Sequence, residues 1–413
     1  MDIFERARRD DVLIGIVSLM RMALTGGDLG SLGIELIQRA GGEPRMASAN
    51  ALMDLSTILQ FRGERELALN IQRQALAIQQ IYSPPMKLGA GDRSHAAVRL
   101  LAIMGPGDLM SNSPIEFLLE HEDVALDILY VTMEQDFPKI LPEHDVLFIA
   151  IAESKANFPL LMKVNAAIAN WRRPVLNLPE RIAALSRDNN CARLKAVPGL
   201  VMPDTVKVGR EQLALLGTEA SETALPGIDF PVLVRPVDSH AGMDLEKLVD
   251  AAEISAYLSR VDSAEFYVSN FVDYRSADGM FRKYRIVLIE GRPFVCHMGI
   301  SEHWMIHYIN AGMDKDAGKR EEEALFMSRF DADFAVRHAD AFRQINDRFG
   351  LEYLGIDCAE TSDGRLLVFE VDSCMIVHAV DPVDLYPYKQ PQMRRVFDAF
   401  FRMLVDAAQR APR

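Results

Sequence analysis

Three carboxylates near the end of the chain have the spacing of a metal site. Asp363-Gly364 separates two apolar runs, which is typical of a two-residue β-hairpin loop. With that loop, Asp357 faces Glu370 across the hairpin, and Asp372 shares the face of Glu370. Like charges that face each other destabilise a hairpin, so a hard divalent cation with oxygen ligands is expected between them. The alternative is three solvated carboxylates on an exposed face.

Four histidines form a second group of candidates: His297, His303, His307 and His378. His303 and His307 are four residues apart and could bind zinc if they lie on a helix, but the internal glutamate of a zinc protease motif is missing. A polar, aromatic substrate wall formed by His297, His303 and His307 is favoured, with structural packing as the alternative. His378 closely follows the carboxylate strand and is expected near a substrate.

Alternating strands and helices predict an α/β fold in the middle of the chain. Buried parallel strands are expected at Val98–Met104, Val124–Val131 and Asp145–Ala152, with a shorter one at Arg173–Asn177. Ser113–Glu116 has the pattern of a capping box and predicts the start of a helix. This order implies a doubly wound sheet.

The first 80 or so residues have helical periodicity. A helix pair over Ser48–Ile78, with its turn at Gly63, resembles one tetratricopeptide-type repeat, and an ordinary helical hairpin is the alternative. Pro and Gly residues between Ser83 and Gly91 predict a domain boundary. We expect the helices to mediate self-association, such as a homodimer, or to capture a peptide.

The rest of the chain is richer in hairpins. Strands are expected at Phe230–Arg235, Glu265–Val272, Lys283–Ile289, Pro293–Met298, Tyr353–Glu360 and Arg365–Asp372. Helices are expected at Leu245–Arg260, Asp331–Phe349 and Pro391–Ala408.

Composition excludes several classes of protein. Of 413 residues, 49% are hydrophobic and 25% charged, which excludes a disordered or collagen-like chain. The net charge of −14 argues against a nonspecific nucleic-acid partner. No apolar run is long enough to span a membrane, no signal peptide is visible, and the four cysteines form no CxxC pair. A reduced, cytoplasmic protein is expected.

Three parts of the sequence resemble the ATP-grasp family. Gly355-Ile356-Asp357, followed by Leu367–Asp372, is similar to its metal-binding end. Phe230–Pro236 is similar to a strand that ends in a phosphate-binding lysine and a proline. Lys283-Tyr284-Arg285 corresponds to a strand that carries a substrate- or phosphate-binding arginine. The similarity covers about residues 95–400.

The resemblance implies a site and a domain order. Magnesium, or manganese, would bind at Asp357, Glu370 and Asp372, and Arg235 and Arg285 would be catalytic. The nucleotide-binding residues would be Arg187, Arg235, Ser239, His240, Gly242, Tyr267, Val268, Ser269, Asn270 and Asp273. A helical module would occupy residues 1–90, a Rossmann-like pre-ATP-grasp domain 91–178 and an ATP-grasp domain 179–413, with ATP between its two subdomains.

The chain also departs from the family pattern. Arg235 replaces the usual lysine, and its guanidinium can bind phosphate oxygens in bidentate fashion. A second lysine is missing, which leaves Arg187 as the nearest substitute. The loop over the phosphates has only Gly242, and the hinge has Ser269 and Asn270 where an acidic residue is common.

The function implied is an ATP-dependent carboxylate–amine ligase that acts on an amino acid or peptide through an acyl phosphate. Its substrate, a small molecule or peptide, would carry a carboxylate and an amine, with no nucleic acid or membrane as partner. Two alternatives stay open: an ATP-grasp phosphotransferase, and a catalytically degenerate nucleotide-binding scaffold with a helical interaction module.

Overall fold

A computed structural model describes residues 12–41, 45–85, 93–216, 225–239 and 242–410. The described chain begins with four helices: α1 (Ile16–Leu24), α2 (Leu29–Ala40), α3 (Arg45–Phe61) and α4 (Arg65–Ile78). α3 and α4 pack against each other, and Gly63 forms their turn at a φ of 79° that favours glycine. The predicted helical hairpin is therefore present. Its identity as a tetratricopeptide repeat and its role in self-association stay predictions.

The next region is built on a five-stranded sheet, here called the N-terminal sheet. Its strands and helices are β1 (Ile81–Tyr82), β2 (Val98–Met104), α5 (Glu116–Leu119), β3 (Val124–Tyr130), β4 (Val146–Ile149), α6 (Phe158–Ile168) and β5 (Val175–Leu176). The strand order is β1-β3-β2-β4-β5, and only β1 is antiparallel to its neighbour. The predicted α/β class and parallel sheet are confirmed. β1 comes from residues that the sequence assigned to the helical module.

A four-stranded antiparallel sheet follows, here called the middle sheet, in the order β7-β10-β8-β9. Residues 179–270 contribute α7 (Pro179–Ile182), α8 (Arg187–Leu194), β6 (Leu200–Val201), β7 (Thr205–Gly209), α9 (Arg210–Leu216), β8 (Val232–Pro236), β9 (Glu246–Leu248), α10 (Ala252–Arg260) and β10 (Glu265–Asn270).

The last sheet, here called the C-terminal sheet, has the order β12-β11-β13-β14-β6, with β6 parallel to β14. Its remaining strands and its helices are β11 (Phe281–Ile289), β12 (Arg292–Ser301), α11 (Ala317–Arg329), α12 (Phe334–Arg337), α13 (Ala339–Phe349), β13 (Tyr353–Glu360), β14 (Leu366–Asp372) and α14 (Lys389–Arg410). In the part of the chain that the structure describes, no helix is long and apolar enough to cross a bilayer.

The helix α14 joins the N-terminal and C-terminal sheets. Phe400 is fully buried and meets the rings of Phe148 on β4 and Tyr353 on β13 edge-on, at centroid distances of 5.6 and 5.3 Å. Burial of aromatic side chains of this size gives each about 1.5–3 kcal/mol of stabilisation. The end of the chain is therefore part of the core that positions the site.

Three local predictions were wrong. The hairpin loop has three residues, because Gly364 N–H donates to the Thr361 carbonyl and Thr361 N–H to that of Arg365. The Ser113–Glu116 capping box does not form: Ser113 Oγ instead donates to the Ser373 carbonyl oxygen at 2.6 Å. The helix predicted over Leu245–Arg260 is split, because its first residues pair with β8 as the edge strand β9.

Candidate functional site

A cavity of about 460 Å³ lies between the middle and C-terminal sheets. Five basic side chains line it: Arg187 at the start of α8, Arg235 on β8, Lys283 and Arg285 on β11, and Lys389 at the start of α14. Successive strand residues point to opposite faces, so Lys283 and Arg285 face the cavity while Tyr284 packs in the core behind. The cavity therefore concentrates positive charge, as an anionic ligand requires.

One row of polar residues crosses the C-terminal sheet. His297 pairs with Arg285, Arg285 with Asp357, and Asp357 with Glu370. The predicted register between Asp357 and Glu370 is thus confirmed, although the loop is one residue longer than expected. A β-bulge at Phe369 restores the register, since Cys358 pairs with Val368.

Asp357 is held by two cations. Its carboxylate accepts both Nε and a terminal nitrogen of Arg285, at 2.9 and 3.0 Å, and Lys283 Nζ lies 2.7 Å away. Burial alone would favour the neutral acid, but Arg285 and Lys283 together lower the pKa of Asp357 well below its usual range. Asp357 is therefore ionised, and it orients Arg285.

Glu370 is paired with Arg187, whose terminal nitrogen lies 2.7 Å from its carboxylate. Burial opposes ionisation, yet Arg187 and then Arg235 hold the pKa of Glu370 below its usual value. Burial and the neighbouring Arg187 lower the pKa of Arg235 itself to about 9. Glu370 is thus paired with Arg187, and Arg235 lies near both, so a further anion would relieve the repulsion between the two arginines.

Asp372 lies two residues after Glu370 on β14, so both side chains are on the same face of the strand. Its carboxylate accepts the backbone N–H and the thiol of Cys374, both at 3.1 Å. Burial and then the charge of Glu370 raise the pKa of Asp372. Glu153, which follows β4, lies close by, and burial and then Asp372 raise its pKa to about 7. This edge of the cavity carries surplus negative charge.

The three carboxylates fit a divalent cation unequally. Glu370 and Asp372 offer the oxygen atoms that magnesium prefers, and their repulsion would be relieved by a cation. Asp357, in contrast, has both oxygens engaged by Lys283 and Arg285. Within residues 12–410, leaving out the gaps named above, no group of three His, Cys, Asp or Glu side chains is arranged to hold a metal ion. The metal assignment stays a prediction.

The predicted nucleotide-binding hinge lies on β10, and its residues differ in whether they reach the cavity. Tyr267, Ser269 and Asn270 line the cavity, whereas the side chain of Val268 is fully buried in the core of the middle sheet. Val268 does not line the cavity, and its strand is paired on both sides, with β7 and with β8, so the predicted nucleotide contact at Val268 is not supported. Asp273, another of the predicted nucleotide-binding residues, lies outside the cavity lining, exposed and paired with Arg275 at 3.0 Å.

The loop after β8 is only partly described. Ser239 accepts a hydrogen bond from Arg235 Nε at 3.0 Å, so its hydroxyl holds the arginine. Gly242 lines the cavity at a φ of 70°, and a Cβ there would lie 2.4 Å from His307 Nε2, so only glycine fits. His240 lies outside the described residues.

The four histidines separate into two groups. His297, His307 and His378 line the cavity, and burial lowers the pKa of each, so all three are neutral at pH 7. His303 is exposed and lies outside the cavity lining. The segment from His303 to His307 has no helix, so the helical His303–His307 pair that zinc binding would require does not form.

Several site residues were not identified from the sequence. Lys283 could have been, because a residue two positions from Arg285 on a strand shares its face. Lys389, Asp381 and Trp304 also line the cavity. Lys389 and Asp381 reach it through the irregular chain before α14 and the start of that helix, which no local pattern announces.

Comparison with known proteins gave matches in structure alone. No family model and no curated protein matches the sequence. The chain is similar to the RimK domain protein ATP-grasp from Sphaerobacter thermophilus, at 17% identity and a TM-score of 0.41, over 75% of this chain and 99% of that one. It is also similar to D-alanine–D-alanine ligase from Bacillus anthracis (12% identity, TM-score 0.45, 76% and 100%) and to VanG D-Ala:D-Ser ligase from Enterococcus faecalis (12%, 0.46, 75% and 99%). ATP-grasp proteins, the family that the sequence resembles, are thus among the solved structures to which this chain is similar.

Proposed function

We propose that this protein is an ATP-dependent ligase that joins a carboxylic acid to an amine through an acyl phosphate. The observation that carries the proposal is the cavity itself, into which α8 directs Arg187, β8 directs Arg235, and β11 directs Lys283 and Arg285. Phosphoryl transfer depends mainly on positioning and on charge neutralisation, and these four partly buried cations provide both.

The nucleotide end of the cavity would be the one with Arg187 and Arg235. Their guanidinium groups suit phosphate oxygens, and each charge-assisted hydrogen bond contributes about 1.5–3 kcal/mol. The apolar side chains of Met202, Leu233 and Trp304 line the same cavity and offer surfaces for a planar base. Glu370 and Asp372 would hold a magnesium ion, which would neutralise phosphate charge when bound.

The acid would bind beside Arg285. A carboxylate oxygen of the acid attacks the γ-phosphorus, the bond to the β-phosphate oxygen breaks, and ADP leaves. The amine then attacks the acyl carbon, inorganic phosphate leaves with the bonding electrons, and the amine loses a proton. Arg285, which Asp357 holds in a fixed orientation, would stabilise the negative charge on the acyl oxygen in this second step.

Trapping of the intermediate tests the proposal. The protein is incubated with ATP, magnesium and each carboxylic acid of a panel in turn. ADP should be released only when the substrate acid is present, and added hydroxylamine should then yield the hydroxamate of that acid. A phosphorylated product without release of free phosphate would support the phosphotransferase alternative. Nucleotide binding without turnover for any acid would support the scaffold alternative.

A further inference from the structure

A second polar cluster closes the cavity at the start of α14. Lys389 is only 3% exposed, although it lines the cavity, and its Nζ donates to Asp381 Oδ2 at 3.1 Å. Glu323 on α11, which is fully buried, lies 3.9 Å from the same nitrogen. A buried lysine of this kind needs a reason beyond packing, because burial of charge is costly unless the charge is paired.

Lys389 is committed to the protein. Its ammonium lies over the rings of Tyr308 and Tyr386, at 3.8 and 4.4 Å from their centroids, which is cation–π geometry. Glu323 is also satisfied, since it accepts from the backbone N–H of Met298 and from the hydroxyls of Tyr308 and Tyr388. Lys389 therefore acts as a fixed counter-ion.

Asp381 is the part of the cluster that a ligand can reach. Its side chain is 23% exposed and borders the cavity, and Lys389 engages one of its two oxygens. His378 and His297 line the same end, but both are neutral because burial lowers their pKa. With one ammonium and two carboxylates, the cluster of Lys389, Asp381 and Glu323 has a net charge of −1, which suits a cationic group.

This cluster lies beyond Arg285 along one wall of the cavity. His297 is the neighbour of Arg285 on the adjacent strand, one strand spacing of about 4.8 Å away. The ring of His297 is 4.7 Å from that of Tyr308, whose face holds Lys389. Arg285 and Asp381 thus mark an anion-binding and a cation-binding end that border one cavity.

We propose that Asp381 binds the ammonium group of the acid substrate and thereby selects an acid with a free amino group over one without it. This inference rests on the proposed function and assigns a residue to the amino group that the family resemblance implies: the carboxylate lies beside Arg285, and the ammonium lies at Asp381. Lys389 is a positioning residue, which holds the Asp381 carboxylate in place through the contact of its Nζ with Oδ2.

Calorimetry on the full chain, with magnesium and a non-hydrolysable ATP analogue, tests the inference by matched pairs. The probes are alanine against propionate, leucine against 4-methylpentanoate, phenylalanine against 3-phenylpropionate, aspartate against succinate, and the dipeptide alanylalanine. A charged hydrogen bond of about 1.5–3 kcal/mol predicts that the preferred amino compound binds about 10–150-fold more tightly than its partner without the amino group. Asp381→Asn should remove most of that ratio and leave binding of the compound without the amino group unchanged.

The matched control is Asp384→Asn, which changes an exposed carboxylate three residues later and should keep the full ratio. Equal binding of both members of every pair, no binding by any probe, or an equal loss for both members in Asp381→Asn would overturn the inference. The wild-type comparison requires no variant, so it decides the question even if Asp381→Asn folds poorly. Binding that depends on Asp381, without any release of ADP when true ATP is supplied, would instead refute the ligase proposal and leave this inference standing.

Discussion

Replacement of Arg235 should move nucleotide affinity and protein stability in opposite directions. Burial and Arg187 lower the pKa of Arg235 from 12.5 to about 9. At about 1.36 kcal/mol for each pKa unit, the charged form costs the ligand-free fold about 5 kcal/mol. Two hydrogen bonds from Arg235 to Ser239 offset about 1 kcal/mol each. Arg235→Met keeps the length of the side chain and removes its charge, so it should stabilise the ligand-free protein by up to about 3 kcal/mol.

The same variant should bind ATP about 10–150-fold more weakly, because one charge-assisted contact to phosphate is worth about 1.5–3 kcal/mol. Calorimetry gives the dissociation constant, and thermal melting without nucleotide gives the stability. Arg172→Met, which changes an exposed arginine, serves as the control and should alter neither. Unchanged ATP affinity together with a lower melting temperature would refute this reasoning and make Arg235 a structural residue.

Three further predictions concern other parts of the chain. Glu370→Gln should reduce magnesium-dependent ADP release about 100-fold with an unchanged circular dichroism spectrum, since it leaves Arg187 unpaired and removes a proposed metal ligand. Burial raises the pKa of Asp54 from 3.8 to about 7, so its contribution to the free energy of unfolding is present below pH 4 and is lost as the pH rises to 7. This fall amounts to about 4 kcal/mol, and Asp54→Asn should abolish it in melting experiments between pH 4 and 8. A fragment that starts at residue 92 should melt at a lower temperature than one that starts at residue 79, because it lacks the edge strand Ile81–Tyr82.

The sequence predicted best those features that depend on short-range pattern. The strand at Val98–Met104 and the strand at Tyr353–Glu360 have the predicted bounds, because continuous apolar runs between turn residues leave little choice of element. The pairing of Asp357 with Glu370 was also predicted, although two deviations cancel: a three-residue loop shifts the register by one, and the bulge at Phe369 shifts it back. Which residues face each other depends only on the sum of such shifts, so two shifts that cancel leave the predicted pair in place.

The ionic partners inside the cavity could not be predicted in the same way. Arg187 reaches Glu370 from a helix almost two hundred residues earlier in the chain, and no local signal specifies that contact. Ser113 begins a capping-box sequence, yet its hydroxyl donates to the carbonyl oxygen of Ser373, which is distant in the chain. A buried carbonyl oxygen needs a hydrogen-bond donor, and here Ser113 provides it instead of capping the helix. At this contact, the hydrogen bond that a buried polar group makes in the tertiary structure therefore overrides the local preference of the sequence.

The same reasoning explains why the cationic groups of the site differ in the roles we assign to them. Arg285 and Lys389 each have a carboxylate partner, Asp357 and Asp381, which keeps the cation in place without a ligand. Among the residues that the structure describes, Arg235 donates hydrogen bonds only to the neutral Ser239, and it lies beside another arginine, so its charge is the least compensated of these three. A ligand anion gains most where the protein has left positive charge uncompensated. The nucleotide phosphates are therefore expected at Arg235, whereas the paired cations orient the acid.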